Sequence, residues 1–188
     1  MSRDQKPAPD RFLELLRPIE RELELYCRRL IFEQRDVADA IQNAVLRAYR
    51  AFDRYHEDAS FRAWMFKILT NEVFAMNRKR GRIARFEVAV EAEEFDALVG
   101  VAAETDFCVG ASSWDVLADA LDEDLVAALE SLNEIERAVL LMRAIGELRY
   151  REISESLRIP LGSVMGNLSR ARRKMRDAIL RPRRRIAP

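Results

Sequence analysis

The chain has 188 residues, of which 49% are hydrophobic and 34% are charged, with only six glycines and six prolines. This balance is typical of an all-helical protein with one or two small domains. No apolar run reaches eighteen residues and the polar start lacks a signal-peptide core, so we expect neither membrane insertion nor secretion. Two cysteines and a single histidine exclude a disulfide framework and a His-based metal cluster.

The formal net charge of zero hides a strong separation of charge along the chain. Residues 1–85 carry 18 Lys and Arg against 13 Asp and Glu, a net of +5. Residues 86–140 carry 1 against 15, a net of −14, and residues 141–188 carry 13 against 4, a net of +9. Two basic segments joined by an acidic one favour two contacts with a polyanion and one with a basic surface, although solvated surface charge is the alternative.

Apolar residues at steps of three and four predict three helices before the acidic segment. The first covers residues 11–34, and the second covers residues 36–54 with Asp36 as a plausible N-cap. The stretch RYHEDAS breaks the pattern and is predicted to be a loop, after which Ser60 caps the third helix. Three helices with short connections can bury one core.

The acidic segment, residues 86–124, is predicted to be a linker with at most one short helix near Ser113–Leu121. Its composition also suits a disordered spacer. Cys108 falls in this linker, where a free thiol is expected and redox sensing is the alternative. Cys27 falls in the first amphipathic helix, where a buried thiol is expected.

Regular helices are predicted again from residue 125. After a short helix, Asn133 caps the next one, with Glu136 as its capping-box partner. The short helix YREISESL, the turn Arg158–Pro160 and a longer basic helix then follow, and this order predicts a helix-turn-helix.

Two long stretches resemble a known family. DVADAIQNAVLRAYRAFDRYHEDASFRAWMFKILTNEVFAMNRKR resembles region 2 of extracytoplasmic-function (ECF) sigma factors, and ALESLNEIERAVLLMRAIGELRYREISESLRIPLGSVMGNLSRARRKMRDAI resembles region 4 of bacterial sigma factors. The resemblance implies an all-α protein of two small helical domains. Region 2 would cover residues 10–85, the acidic linker residues 86–124, and the region 4 helix-turn-helix residues 125–181.

The same resemblance implies an alternative sigma factor that binds core RNA polymerase and directs promoter-specific transcription initiation. The implied partners are core polymerase, through its β′ clamp helices and β flap, promoter DNA and an anti-sigma factor. No cofactor, no metal, no enzymatic activity and a bacterial cytoplasmic location are expected. Two alternatives stay open: a sigma mimic that occupies an anti-sigma factor, and a helix-turn-helix repressor that does not bind polymerase.

The second helix carries the residues that the resemblance assigns to polymerase docking. Its exposed polar set consists of Asp39, Gln42, Asn43 and Arg47. The family pattern D-L-V-Q-E reads D-A-I-Q-N here, so Asn43 replaces an acid and removes one charge that would face a basic partner. An ordinary exposed helix face is the alternative.

Residues for the −10 element are expected in the loop before the third helix and along that helix. An asparagine of the family hydrogen-bonds the flipped −10 base, and Asn71 in KILTNEV falls on the matching position. An amide offers both a donor and an acceptor to a base edge. The remaining predicted −10 contacts are His56 in the loop and the basic residues Arg78, Lys79, Arg80 and Arg82, which would contact phosphates. Phe61 and Trp64 are possible stacking platforms, but their spacing makes them core residues first.

The basic last helix carries the predicted −35 contacts. These are Ser163, Gly166, Asn167, Ser169, Arg170, Arg172, Arg173 and Lys174. The family reads G-T/S-V-K/R-S-R followed by R-A-R, whereas Met165, Gly166 and Asn167 here replace basic, small and basic residues. In one explanation Gly166 lets the backbone approach the duplex, Asn167 reads adenine and Arg170 reads guanine or contacts phosphate. In the other, the helix has lost promoter recognition.

Overall fold

The computed structural model describes residues 8–56, 60–85 and 123–179, and every regular element in these ranges is a helix. The first half contains α1 (Ala8–Leu16), α2 (Glu20–Leu30), α3 (Val37–Ala51) and α4 (Phe61–Arg85). The second half contains α5 (Glu123–Glu130), α6 (Glu134–Ala144), α7 (Tyr150–Leu157) and α8 (Leu161–Ile179). The all-α prediction is confirmed. None of the helices in the described ranges is long and apolar enough to cross a membrane.

The prediction of one continuous helix over residues 11–34 is wrong. The chain forms α1 and α2, separated by a 3₁₀ turn at Arg17–Ile19. Pro18 lies inside this turn, where its missing N–H and its ring interrupt the hydrogen-bond ladder of an α-helix. The apolar spacing continues across the break, because Leu16, Ile19 and Leu23 are all buried on the same core.

Two of the three predicted N-cap residues form the side-chain hydrogen bond of a cap. The hydroxyl of Ser60 accepts a hydrogen bond from Ala63 N at 3.2 Å. Asn133 and Glu136 form the predicted capping box, with Glu136 N donating to Asn133 Oδ1 at 2.8 Å and Asn133 N donating to Glu136 Oε2 at 3.1 Å. Asp36 occupies the predicted N-cap position of α3, but it closes a 3₁₀ turn and its side chain makes no cap hydrogen bond.

The predicted helix-turn-helix is confirmed as α7, a short turn and α8. Arg158 ends α7 in the left-handed conformation, with φ 55° and ψ 42°. The hydroxyl of Ser154 donates to Ile159 O at 2.7 Å and satisfies a carbonyl in the turn. The chain therefore reverses within three residues before Leu161 begins the longer helix.

Aromatic side chains fill the end of the core formed by α1, α3 and the start of α4. Phe12 makes edge-on contacts with Tyr49, Phe52 and Phe61 at centroid distances of 5.5, 5.2 and 5.9 Å. Phe61 is buried, and Trp64 is half-buried against this cluster. Both therefore contribute to the core, as their spacing predicts.

The two halves of the chain share one hydrophobic core. Helix α2 packs against α6, and α4 packs against α7. Gly146, just after α6, lies against the ring of Phe66 on α4, where an added Cβ would be only 3.0 Å from Phe66 Cε1 and 2.8 Å from Met142 O. Glycine at residue 146 is what allows this close approach between the halves.

A buried asparagine joins the halves by hydrogen bonds. Asn77 on α4 is 3% exposed, and its Oδ1 accepts from Phe32 N at 3.2 Å. Its Nδ2 donates to Leu30 O at 3.4 Å and to Glu134 Oε1 at 3.1 Å. One side-chain amide thus hydrogen-bonds to the backbone at the end of α2 and to a carboxylate in the first turn of α6.

Replacing Asn77 by alanine is expected to lower the free energy of unfolding by about 1–3 kcal/mol, because three polar groups on two segments lose their partner. Urea unfolding monitored by circular dichroism measures this change. The matched control is Asn71→Ala on the exposed side of the same helix, expected to stay within about 0.5 kcal/mol of the wild type. Equal effects of the two substitutions would contradict the role given to Asn77.

The buried-thiol prediction for Cys27 is confirmed. The side chain is fully buried, and burial raises the pKa of its thiol to about 12. The predicted linker up to residue 122, with the short helix near Ser113–Leu121 and Cys108, lies outside the described residues.

Candidate nucleic-acid and polymerase interface

Helix α3 presents its predicted polar set to solvent. Asp39, Gln42, Asn43 and Arg47 are all exposed, because the opposite face of α3 is buried through Val37, Ala40, Ala44 and Ala48. Arg47 also forms an ion pair with Glu72 on α4, with Nη1 and Oε2 3.1 Å apart. Leu46 and Tyr49 are 43% and 45% exposed on this helix. The surface therefore combines an exposed acid, two amides and apolar area, which suits a protein partner.

A stripe of side chains along α4 contains the predicted base-contacting asparagine. Trp64, Asn71 and Arg78 are seven residues apart, and this spacing places them on one face at intervals of about 10 Å. Asn71 and Arg78 are exposed, as are Lys79 and, in the loop before α4, His56. Arg80 and Arg82 lie in the last turns of α4, where side chains are outside the described part of the chain.

The sequence prediction missed Lys67. This half-buried lysine lies four residues before Asn71, on the same face of α4 and between Trp64 and Asn71. Lys67 lies four residues before Asn71 and eleven before Arg78, and these helical spacings alone place it on the same face. With Lys67 the stripe contains an aromatic ring, an amide and two cations, which is a composition typical of single-strand binding.

The first half of α8 differs from what the sequence predicts. Asn167 is only 4% exposed, and its Nδ2 donates to Ser163 O at 2.7 Å. Its Oδ1 accepts from Arg170 Nη2 at 3.0 Å. The expectation that this amide faces a base is therefore corrected, because both of its polar groups are engaged within the protein.

The solvent-facing side of the start of α8 is largely apolar. Leu161 is 38% exposed, Met165 is 46% exposed, and Ser169 continues the same face. Apolar side chains can contact the methyl group of thymine in a major groove. The sequence pattern shows Met165 only as a replaced charge, whereas the structure shows an exposed apolar side chain at this place.

The basic residues of α8 fall into two groups. Arg170 and Lys174 are 41% and 40% exposed and both pair with the buried carboxylate of Glu136, at 3.5 Å from Arg170 Nε and 2.7 Å from Lys174 Nζ. The second group consists of Arg173, which is exposed, and Arg172, which is half-buried. The predicted contact Ser163 is also half-buried. Part of the positive charge on this helix therefore serves a contact with α6 inside the protein.

Gly166 is a helical glycine with room for a side chain. The helix is regular there, and an added Cβ would lie 3.4 Å from Arg170 Nη1, an ordinary contact distance. Gly166→Ala is expected to raise the free energy of unfolding by up to about 1 kcal/mol through helix propensity. Gly146→Ala is the control, and it is expected to lower the free energy of unfolding, since its Cβ would collide with Met142 O and Phe66. Urea midpoints measure both, and destabilisation by Gly166→Ala would contradict the regular helix at that residue.

An all-helical fold that ends in a basic helix-turn-helix is typical of DNA-binding regulators. Comparison with known families gives a sharper result. Residues 15–83 match sigma-70 region 2, and residues 122–175 match sigma-70 region 4. The chain belongs to the sigma-70 family of RNA polymerase sigma factors, in its extracytoplasmic-function group.

Named relatives agree with this membership. The chain is 32% identical over 149 residues to the ECF RNA polymerase sigma factor SigE of Mycolicibacterium smegmatis, an alignment that covers 79% of this chain and 54% of that protein. It is 29% identical over 142 residues to the ECF RNA polymerase sigma-E factor of Escherichia coli K12, covering 73% and 70%. The chain thus spans about half the length of the mycobacterial relative.

Solved structures share the fold. The sigma factor RpoE of Bartonella quintana, solved with the anti-sigma factor NepR, matches with a TM-score of 0.68 at 20% identity, over 90% of this chain and 96% of that one. CnrH, solved with the cytosolic domain of CnrY, matches with a TM-score of 0.61 at 23% identity, over 91% and 88%.

Proposed function

We propose that this protein is an alternative sigma factor that binds core RNA polymerase and directs promoter-specific transcription initiation. The observation that carries the proposal is the match to both sigma-70 regions, in the family's order, on two helical halves of one chain. In this role the protein is a regulatory factor and not an enzyme, and it acts where the polymerase acts, in the bacterial cytoplasm.

The proposal divides the work between the two regions. Residues 10–85 dock on the β′ clamp helices through Asp39, Gln42, Asn43 and Arg47, and engage the −10 element. There Asn71 contacts a flipped base, while the phosphate contacts come from His56, Lys67, Arg78, Lys79, Arg80 and Arg82. The exposed stripe on α4 supports this assignment, because opening DNA requires replacement contacts for an unstacked base.

Residues 125–181 engage the −35 element and the β flap. In this assignment Ser163, Met165, Ser169 and Arg170 approach base edges at the start of α8, where recognition helices enter the major groove. Arg172, Arg173 and Lys174 then contact phosphates. The guanidinium of Arg170 covers Gly166, so this glycine takes part through Arg170 and not by a close approach of its own backbone. The exposed Met165 and Arg173 support this orientation of α8.

An anti-sigma factor is the proposed regulatory partner. Regions 2 and 4 must both be free to engage polymerase and promoter, so a protein that covers either region would inhibit initiation. Membership in the ECF group supports this part of the proposal. The linker, residues 86–124, is proposed to lie in basic channels of the polymerase, because its segment carries most of the chain's acidic excess.

Co-elution with core polymerase tests the docking half of the proposal. The full chain is expected to co-elute with core polymerase on size exclusion, and Asp39→Arg is expected to reduce co-elution by about ten-fold through loss of a charge that faces a basic surface. The matched control is Asp10→Arg, a charge reversal at an exposed residue of α1. Failure of the wild-type chain to co-elute would favour a repressor that works without polymerase.

A further inference from the structure

The guanidinium of Arg170 is bound by two side chains and lies over Gly166. Its Nη2 donates to Asn167 Oδ1 at 3.0 Å, and its Nε lies 3.5 Å from Glu136 Oε1. Its Nη1 passes over Gly166, since a Cβ added to that glycine would be 3.4 Å away. A helical side chain leans toward the N-terminus of its helix, so Arg170 covers the turn before its own Cα.

This position places positive charge where the sequence of α8 lacks it. Met165, Gly166 and Asn167 carry no charge, and they lie in the half of the helix that enters a groove. Arg170 is 41% exposed, and its Nη1 group is not used by Asn167 or Glu136. A guanidinium that presents free N–H groups matches the O6 and N7 acceptors of guanine.

The two residues that hold Arg170 are themselves fixed. Asn167 is 4% exposed and donates to Ser163 O at 2.7 Å, so its amide has one orientation. Glu136 is 1% exposed, is locked by the capping box with Asn133, and pairs with Lys174 at 2.7 Å. The buried carboxylate therefore connects the start of α6 to the middle of α8.

We propose that Asn167 and Glu136 are positioning residues that hold the Arg170 guanidinium over Gly166, so that Arg170 reads a base edge of the −35 element. The inference rests on the proposed −35 contact of α8 and assigns its specificity. An arginine fixed before binding loses less side-chain freedom on reaching the base, which favours discrimination between bases. Asn167 thereby acts on DNA through Arg170 and not by its own amide.

Transcription from a library with a fixed −10 and a randomised −35 tests the inference. The full chain with core polymerase initiates on the library, and the transcripts are sequenced to give a preference at each −35 base. Arg170→Ala is expected to lower the preference at one or two adjacent bases roughly ten-fold. Asn167→Ala and Glu136→Gln are expected to lower it at the same bases by about three-fold or more, and to leave the other bases unchanged.

Two further variants separate positioning from a structural role. Asn167→Asp keeps an acceptor for Arg170 but loses the donor to Ser163 O, so it is expected to retain part of the preference that Asn167→Ala loses. Arg173→Ala is expected to reduce transcription evenly over all −35 sequences, as for a phosphate contact. Glu136→Gln keeps the capping box, so it decides the question even if Asn167→Ala fails to fold by circular dichroism.

The outcomes distinguish this inference from the proposed function. Even losses over all −35 sequences in Asn167→Ala and Glu136→Gln would overturn the positioning role. A preference that depends on Arg170 but is unchanged in both variants would overturn the inference and leave −35 recognition intact. No −35 preference in the wild type would overturn the −35 role of α8, and the inference with it.

Discussion

Replacing Phe66 by alanine is expected to lower the free energy of unfolding by about 3–5 kcal/mol. Phe66 is fully buried on α4, where its ring contacts Tyr26 at a centroid distance of 4.9 Å on one side. On the other side it meets Gly146 at the start of the loop after α6. The substitution removes one large side chain from the contact that joins the two halves. For a chain of this size the midpoint of thermal unfolding should fall by roughly 6–20 °C.

The matched control is Phe32→Ala, which removes the same side chain from an exposed residue. Phe32 is 57% exposed and its ring lies 5.9 Å from the guanidinium carbon of Arg137. Its loss is expected to cost no more than about 1 kcal/mol. Calorimetry of both variants measures the two unfolding midpoints. A single broadened transition in Phe66→Ala that retains the wild-type midpoint would contradict a core shared by both halves.

Replacing Asn71 by alanine is expected to reduce transcription from a promoter with a matched −10 element about ten-fold. An unpaired base that leaves the duplex gives up its stacking and needs new hydrogen bonds, which Asn71 is placed to supply from the exposed face of α4. Loss of about 1.4 kcal/mol in such contacts corresponds to that factor. Single-round transcription measures the change.

The same variant should lose discrimination at one base and keep its other properties. Transcription from the matched −10 and from variants with one changed base should become nearly equal, while co-elution with core polymerase stays at the wild-type level. Arg78→Ala, seven residues further along the same face, is the control, and it should weaken all templates alike. Undiminished discrimination by Asn71→Ala would remove Asn71 from the base-contacting set.

Much of the fold follows from the spacing of apolar residues. The helices around Ala44, Leu69, Val139 and Val164 were predictable, because buried side chains recur at three and four residues along each of them. Side-chain caps at Ser60 and Asn133 set two helix starts for the reason that the sequence indicates. The break at Pro18 was visible in the sequence but was outweighed by an apolar pattern that continues on both sides of it.

The contacts between the halves could not be predicted, because no local pattern says which helix faces will meet. Asn77 belongs to a polar stretch near the basic end of α4 and gives no sign that it bonds to Phe32 N and Glu134. Gly146 was predictable as a helix end but not as a surface for the ring of Phe66. Both roles depend on tertiary packing.

In the candidate site, too, helical periodicity predicts which residues are exposed, but it does not predict contacts that depend on tertiary packing. The exposed residues of α3 and Asn71 of α4 follow from helical periodicity, so the sequence places them correctly on outer faces. Asn167 was assigned to a polar face, yet it is buried because Ser163 O and Arg170 provide partners inside the protein. The sequence predicts Glu136 only as a capping partner, because its pairing with Lys174, 38 residues further along the chain, depends on how two helices pack.

The most direct test of the central claim is transcription in vitro from a library of random promoter sequences. Core RNA polymerase initiates on this library with and without the full chain, and the transcripts are sequenced. A sigma factor predicts that the added chain directs initiation from sequences that share a −10 and a −35 motif at fixed spacing. Transcripts with no shared motif, or no increase over core polymerase alone, would contradict the account.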